Sequence, residues 1–337
     1  MPTSAKTPTK NSAKTSAKTS LIAAGVAPAD LAPHMAEEPR LAPTDSAAKA
    51  FKLIARSALN QIAANAAVLA RARRPEALHQ MRVGLRRLRG AIKLFGPMLA
   101  DEGLGPVKAE LKWITGELGP ARDLDVFLND SYRPMLEPHR DWPELAGLGH
   151  TLREARTKAY DRAQAAVTSS RFGVLAQDVA AWVELGEWTA ATGPKQTALR
   201  ARPIGRLAPE LLDKAHQTVV RGGRKLKSLD DEARHKLRIH AKSLRYATGF
   251  FSSLYAKDAA KPLARFGAAS HRLTSAFGDA TDIVAAVKLS VEIAAEAPPR
   301  IAYTAGLVAA QRLAGETRAA KASAKAFKSF REAKPFW

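Results

Sequence analysis

A pattern of eleven residues that occurs twice is the feature that most limits how this chain can fold. The first copy spans residues 79–89 (HQMRVGLRRLR) and the second spans residues 235–245 (HKLRIHAKSLR). A shorter pair follows the two copies, since LGPARD ends at Asp123 and FGDATD ends at Asp282. Internal duplication of this kind predicts two structurally equivalent helical halves, related by a pseudo-twofold axis.

The composition between the repeated segments favours helices throughout. Alanine and leucine dominate from Thr44 onward, and no alternating run rich in Val, Ile and Thr occurs. The chain is therefore expected to be all-α. Glycine and proline within 187–203 predict a loop that divides a first half, about 44–187, from a second half, about 204–337. Predicted helices of the repeats and the second half cover residues 75–96, 204–221, 230–255, 259–277, 280–296 and 301–333.

The first 43 residues differ from the rest of the chain. They contain SAKTSAKTS repeats and several prolines, with few residues that could form a core, and this composition predicts a disordered tail over 1–43. They contain four lysines and one arginine, and one aspartate and two glutamates, so they contribute a net charge of +2 to the total of +21. The domain over 44–337 therefore carries most of the charge.

A net charge of +21 predicts a polyanionic partner: nucleic acid, an anionic membrane surface or a phosphate polymer. The absence of cysteine excludes disulfides, thiolate nucleophiles and zinc-thiolate sites. No apolar run approaches the roughly 18 residues that a transmembrane helix requires. We therefore expect a soluble protein in a reducing compartment.

The repeated pattern places cations on one helix face. At about 100° per residue, the cationic positions of the first copy fall within an arc of roughly 80°, with apolar residues behind them. Like charges at this spacing destabilise a helix unless an anion compensates, and two matching stripes predict a long ligand. The first stripe comprises His79, Arg82, Arg86, Arg89 and Lys93, backed by Met81, Leu85, Leu88 and Ile92; the second comprises His235, Arg238, Lys242 and Arg245, backed by Leu237, Ala241, Leu244 and Phe251.

Each of these features has a simpler interpretation that the sequence leaves open. A cationic stripe can be a solvated helix face, and so can Lys108, Lys112 and Arg122, which otherwise extend the basic surface. His79, near a helix start, is expected to be neutral and to donate a hydrogen bond to phosphate, although a histidine can equally serve a structural contact. Asp123 and Asp282 are expected to cap helices or to orient arginines.

The same residues resemble a known family, the conserved-histidine α-helical domain or CHAD domain. The resemblance extends from about residue 45 to residue 337 and rests on the paired His-x-x-Arg patterns and the RDLDV segment between them. The matching segments are ALHQMRVGLRRLRGAIKLF (77–95), LKWITGELGPARDLDVF (111–127), RHKLRIHAKSLRYATGFF (234–251), LTSAFGDATDIV (273–284) and the terminal Pro335-Phe336-Trp337.

The resemblance implies two pseudo-twofold-related antiparallel helical bundles with a basic central groove that binds inorganic polyphosphate. The implied contacts are His79, Arg82, Arg86, Arg89 and Arg122 in the first half, and His235, Arg238, Lys242 and Arg245 in the second. Thr281 stands where the first half has Arg122, so the two halves are not expected to contribute equally. No ExExK strand motif of a CYTH triphosphate tunnel domain occurs, which predicts a stand-alone binding domain.

Non-catalytic polyphosphate binding, in the cytoplasm and at polyphosphate granules, is therefore the expected function. The alternative is a nucleoid-associated, nucleic-acid-binding helical protein, against which we note an aromatic content of only 6% and no helix-turn-helix or basic-zipper signature. An enzyme with a phosphohistidine at His79 or His235 is disfavoured because glycine-rich phosphate loops and metal-ligand spacings are missing. Neither a cofactor nor a metal is expected.

Overall fold

The computed structural model describes residues 31–337, and within this range the all-α prediction is confirmed. The described residues form fourteen α-helices, short 3₁₀ and π segments and one isolated β-bridge between Ser46 and Pro203. The helices are α1 (Ala47–Arg71), α2 (Pro75–Leu94), α3 (Leu104–Glu117), α4 (Gly119–Phe127), α5 (Arg133–Leu136), α6 (Pro143–Thr168), α7 (Ser170–Leu185), α8 (Pro194–Ala201), α9 (Ile204–Gly222), α10 (Asp231–Phe250), α11 (Ser252–Tyr255), α12 (Ala260–Glu296), α13 (Pro299–Leu313) and α14 (Glu316–Glu332).

The two repeated segments form the helices α2 and α10, each of which begins with a sequence signal. Pro75 lies in the first turn of α2, where its missing N–H removes no helical hydrogen bond. Asp230 caps α10, because its side chain accepts a hydrogen bond of 2.7 Å from the backbone N–H of Ala233. The two helices therefore begin at equivalent positions relative to the repeated pattern.

The apolar face of each repeated helix lies in the core, as the periodicity predicts. On α2 the side chains of Met81, Leu85, Leu88 and Ile92 are buried, and on α10 those of Leu237, Ala241 and Leu244 are buried. Burial of a leucine-sized side chain stabilises the fold by about 1.5–3 kcal/mol. This pattern leaves the cationic edges of α2 and α10 to face the surface or each other.

Gly84 allows α1 and α2 to approach closely within this core. A Cβ atom at Gly84 would lie 2.8 Å from Cγ1 of Ile62 and 3.3 Å from the carbonyl oxygen of Ala58. Both neighbours belong to the middle of α1, so a larger residue at Gly84 would push the two helices apart. The glycine inside the first repeat therefore serves packing.

Several helix boundaries differ from those predicted. The expected loop at 187–203 contains α8, and the two helices expected at 259–277 and 280–296 form the single helix α12. The helix expected at 301–333 is divided into α13 and α14 around Gly315. Gly278 does not interrupt α12, because a single glycine lowers helix stability by only about 1 kcal/mol and packing compensates for it.

The domain begins earlier than the predicted boundary at residue 43. Residues 34–43 lie against the helices: the backbone N–H of His34 donates to Oδ1 of Asn65 at 3.0 Å, and that of Leu41 donates to Oγ of Ser253 at 3.0 Å. Glu38 accepts hydrogen bonds at 2.8 and 3.3 Å from the guanidinium of Arg87. We call residues 34–43 the N-terminal strap. The disorder predicted for the start of the tail concerns residues 1–30, which lie outside the described residues.

The terminal residues close the second half of the chain. The indole N–H of Trp337 donates to Oδ1 of Asp213 on α9 at 2.8 Å. The rings of Phe336 and Trp337 both pack against Phe266, at centroid distances of 5.7 and 5.0 Å. These aromatic contacts, each worth about 0.5–1.5 kcal/mol beyond area burial, connect the chain end to α9 and α12.

Candidate functional site: a cationic cluster between the repeated helices

The two repeated helices contact each other through their polar edges. Nε of Arg86 on α2 donates a hydrogen bond of 3.2 Å to the hydroxyl of Tyr246 on α10. The charges of Arg86 also act on His79, Arg82, Arg238 and Lys242. The fold thus brings cations of the two repeats together, although they are far apart in the sequence.

Six of the predicted site residues form what we call the central cationic cluster. Each is partly buried, and each is linked to others in the set through the electrostatic influences on their pKa values. α2 and α4 contribute the members from the first half, and α10 contributes the members from the second. The cluster consists of His79, Arg82, Arg86, Arg122, Arg238 and Lys242.

The arginines Arg82 and Arg238 occupy equivalent positions in the two repeats, and both are partly buried. Nη1 of Arg82 donates to the carbonyl oxygen of Thr115 at 3.2 Å, and Nη2 of Arg238 lies 3.4 Å from Oδ1 of Asp282. The Nε atoms of both arginines are buried and have no hydrogen-bond partner among the described residues. A buried donor without a partner is unfavourable by about 1–3 kcal/mol, so both guanidinium groups favour an additional acceptor.

His79 is neutral at pH 7, in agreement with the prediction, but the main cause differs. Burial, together with the charge of Arg122, lowers the pKa of His79 to about 4, while Glu76 opposes the change. A neutral imidazole can donate one N–H to an anion and keep its other nitrogen as an acceptor. Its counterpart His235 is exposed, so the two histidines do not have equivalent environments.

Lys242 is the cluster member whose charge state is most sensitive to its surroundings. Burial, together with the neighbouring charges of Arg238 and Arg86, lowers its pKa to about 7. Asp282 opposes this change. Near neutral pH the ammonium is therefore only partly populated, and a bound anion would favour its protonated form.

Neither repeated aspartate caps a helix. Asp123 lies inside α4, which already begins at Gly119, and Asp282 lies in the middle of α12, which Gly278 does not interrupt. The alternative prediction, that these aspartates orient arginines, agrees with the contact of 3.4 Å between Asp282 and Arg238. The negative charge of Asp123 likewise favours the protonated form of Arg82 and acts to raise its pKa. Each half thus places one carboxylate where its charge acts on an arginine of the cluster.

The remaining predicted site residues lie around the cluster rather than in it. Arg89, Lys93, His235 and Arg245 are exposed, and so are Lys108 and Lys112 on α3. Both lysines of α3 are within about 60° of Thr115 around the helix axis, on the side whose backbone contacts Arg82. Extension of the basic surface by these residues remains a prediction.

Sequence reasoning missed Tyr246 and Thr115. Tyr246 follows Lys242 by four residues and Arg238 by eight, so helical spacing could have identified it as part of the same face. The contribution of Thr115 comes from its backbone carbonyl, for which side-chain patterns carry no signal.

Within residues 31–337, no helix is long and apolar enough to cross a membrane.

Comparison with known proteins gives a consistent result. The family model described as CHAD domain matches residues 53–290. A search of the curated proteins found no match. The crystal structure of the CHAD domain from the plant Ricinus communis is similar with a TM-score of 0.74 and 26% identity, over 88% of this chain and 96% of that one. PptA from Streptomyces chartreusis shares the fold, with a TM-score of 0.61 and 19% identity over 84% of this chain and 100% of that one. The family model spans more than half of the chain, which therefore belongs to the CHAD domain family.

Proposed function

We propose that this CHAD domain binds inorganic polyphosphate, without hydrolysing it, through the central cationic cluster. The observation that carries the proposal is the convergence of partly buried cations from both repeats. Five members besides His79 can carry a positive charge, whereas three carboxylates, those of Glu76, Asp123 and Asp282, act on His79, Arg82 and Arg238. The surplus of positive charge, together with unpaired Nε groups, favours an anion with several oxygens.

The burial of these cations favours a thin polymer over duplex DNA. Arg82, Arg238 and Lys242 are recessed between helices, so a phosphate has to enter the cluster to contact them. The phosphates of a duplex are fixed on a wide, rigid surface, whereas a polyphosphate chain is flexible and carries an anionic oxygen on every unit. Exposed cations such as Arg89 and Arg245 would then guide the polymer toward the cluster.

Glutamine variants at equivalent positions test the assignment. Arg82→Gln and Arg238→Gln remove the charge and keep an unbranched polar side chain at partly buried sites, and each should weaken binding of long polyphosphate by about tenfold to a hundredfold. A smaller loss is expected if the polymer slides to neighbouring cations. Arg272→Gln and Arg318→Gln, at exposed arginines of α12 and α14, serve as controls and should change the affinity little.

Circular dichroism shows whether each variant is folded, and competition with duplex DNA shows which polyanion the protein prefers. Equal small losses at all four positions in folded protein would indicate diffuse charge and contradict the proposal. Duplex DNA that displaces polyphosphate at equal phosphate concentration would favour the nucleic-acid alternative. If the wild-type protein released orthophosphate during incubation with polyphosphate, and these variants abolished the release, a non-catalytic role would be contradicted.

We also propose that polyphosphate binding localises the protein to polyphosphate granules in the cytoplasm. A fluorescent fusion should form foci in cells that synthesise polyphosphate and become diffuse in cells that do not. The Arg238→Gln variant should lose the foci in the first cells. Foci that persist without polyphosphate synthesis would assign the localisation to another partner.

A further inference from the structure

A second site, distinct from the central cationic cluster, is a half-enclosed cavity of about 320 Å³ beside the end of α2. Its lining comes from the last turn of α2 and the residues after it, from α8, from one face of α9 and from α10. This volume lies at the lower end of the range for small-molecule pockets, about 300–1,000 Å³. The cavity is therefore large enough for one small ligand or one alkyl chain.

The interior of the cavity is apolar. Its inner wall includes the core residues Phe95, Met98 and Leu207, which are at most 7% exposed. Leu199 and Leu211 continue the apolar surface outward and pack against the same core. Along α9 the lining residues follow a spacing of three and four, which identifies one helix face left uncovered by other helices. A ligand with an apolar part could remove this surface from water.

The ionisable residues of the lining are all bases. Lys93, Lys214 and His240 lie around the apolar surface, and among residues 31–337 no aspartate or glutamate contributes to the lining. Neither lysine forms an ion pair within residues 31–337, and the charge of Lys93 acts on His240. Thr218 and Ser243 add hydroxyl groups that can donate hydrogen bonds. An apolar interior combined with this cationic and hydroxyl-bearing lining complements an amphiphilic anion.

We propose that this cavity binds a single-chain amphiphilic anion, with the alkyl chain against Phe95, Met98 and Leu207 and the anionic head beside Lys93 and Lys214. The volume fits one chain and is too small for a folded protein segment. The head can be a carboxylate or a phosphate, because both accept hydrogen bonds from ammonium and hydroxyl groups. The inference is independent of the proposed polyphosphate function.

Calorimetric titration of the full chain tests the ligand class. Decanoate and decyl phosphate, below their micelle concentrations, should bind, and decyltrimethylammonium should not. Affinity should rise about fourfold for each methylene added between octanoate and decanoate, as expected for burial of the chain. Equal affinities for octanoate and decanoate, or for the anionic and cationic heads, would overturn the proposal.

Two variants locate the site. Ala215→Trp places a large ring in the cavity and should weaken decanoate binding more than tenfold, while Ala320→Trp, at an exposed position of α14, should not. Lys214→Glu reverses an exposed charge and should weaken decanoate binding at least fivefold, whereas the exposed Lys158→Glu on α6 should have little effect. Wild-type affinity in folded Ala215→Trp, or equal losses in Lys214→Glu and Lys158→Glu, would refute the site.

Two further measurements separate this site from other targets. Polyphosphate affinity should be unchanged in Ala215→Trp, because Ala215 lies outside the central cationic cluster, so failure of either proposal leaves the other testable. In a parallel experiment, binding of the wild type and of Lys214→Glu to vesicles of anionic two-chain phospholipid is measured. Vesicle binding that is lost in Lys214→Glu, together with no binding of decanoate, would assign the surface to a membrane and overturn the single-chain proposal.

Discussion

Lys242 gives the most direct test of the cluster at the scale of single residues. Its pKa is lowered to about 7 by burial and by Arg238 and Arg86, and a bound polyanion should raise it again. Polyphosphate binding should therefore take up a proton near neutral pH, so affinity is highest below pH 7 and falls as the pH rises through it, by up to about tenfold per unit. Titration of long polyphosphate between pH 6 and 8 measures this dependence.

Lys242→Arg is the matched variant for that experiment, since arginine stays protonated throughout the range. It should bind at pH 8 about as tightly as at pH 6.5. The other charged groups that act on Lys242, namely Arg238, Arg86, Arg245 and Asp282, are unchanged in this variant. A pH dependence that is identical in the wild type and in Lys242→Arg would assign the proton to a different group or to the polymer ends.

A second prediction about single residues concerns Asp282, whose carboxylate competes with polyphosphate for Arg238. The contact of 3.4 Å between its carboxylate and the guanidinium partly satisfies Arg238 in the free protein. Asp282→Asn should therefore strengthen polyphosphate binding, by up to about fivefold for a pair that is partly exposed to solvent. Asp279→Asn, an exposed aspartate earlier in α12, is the control. Weaker binding in Asp282→Asn would instead show that the carboxylate positions Arg238 for the anion.

At the scale of structural elements, the N-terminal strap should contribute to stability rather than to binding. Arg87 is 4% exposed, forms two hydrogen bonds to Glu38 and lies over the ring of Phe250 at 5.2 Å. Removal of residues 1–43 deprives this guanidinium of its carboxylate, and we expect a loss of about 1–3 kcal/mol in the free energy of unfolding. Urea denaturation measures the loss.

Removal of residues 1–32 is the matched truncation because it leaves the strap in place. This variant should unfold at the same urea concentration as the full chain and should bind polyphosphate with nearly the same affinity. Glu38→Gln in the full chain should reproduce part of the loss seen on removal of residues 1–43. Equal stability of the two truncations would show that the strap contacts add nothing to the fold.

At the scale of the whole molecule, the net charge of +21 should make binding depend on salt and on polymer length. If the five charged members of the central cationic cluster release counterions, affinity should fall about a hundredfold between roughly 50 and 200 mM salt. Orthophosphate, which can contact only part of the cluster, should bind poorly. Fluorescence titrations at several salt concentrations give the slope, and a slope near zero would contradict multiple phosphate contacts.

Arg238→Gln should reduce the magnitude of that slope by about one contact, whereas Arg318→Gln should leave it unchanged. The comparison separates local contacts from the overall field, because the two variants change the net charge equally. An equal change of slope would mean that the total charge, and not the cluster, determines the salt dependence.

The sequence by itself determined the features that depend on local periodicity. The repeated copies at 79–89 and 235–245 predicted two helices with apolar faces toward the core, and the structure confirms both helices and their buried faces. These features are predictable because a spacing of 3.6 residues assigns each side chain to a helix face whatever the partner helix is. The pseudo-twofold relation between the two halves stays a prediction.

Only the tertiary structure decided which polar groups meet and how deeply they are buried. His79 is half-buried while His235 is exposed, although the two occupy the same position of the repeat. The pairing of Asp282 with Arg238, the contact between Arg86 and Tyr246 and the docking of Glu38 on Arg87 all join residues distant in the chain. Charge states and contacts of this kind depend on desolvation and on long-range packing, and neither is encoded in the spacing of residues along one helix.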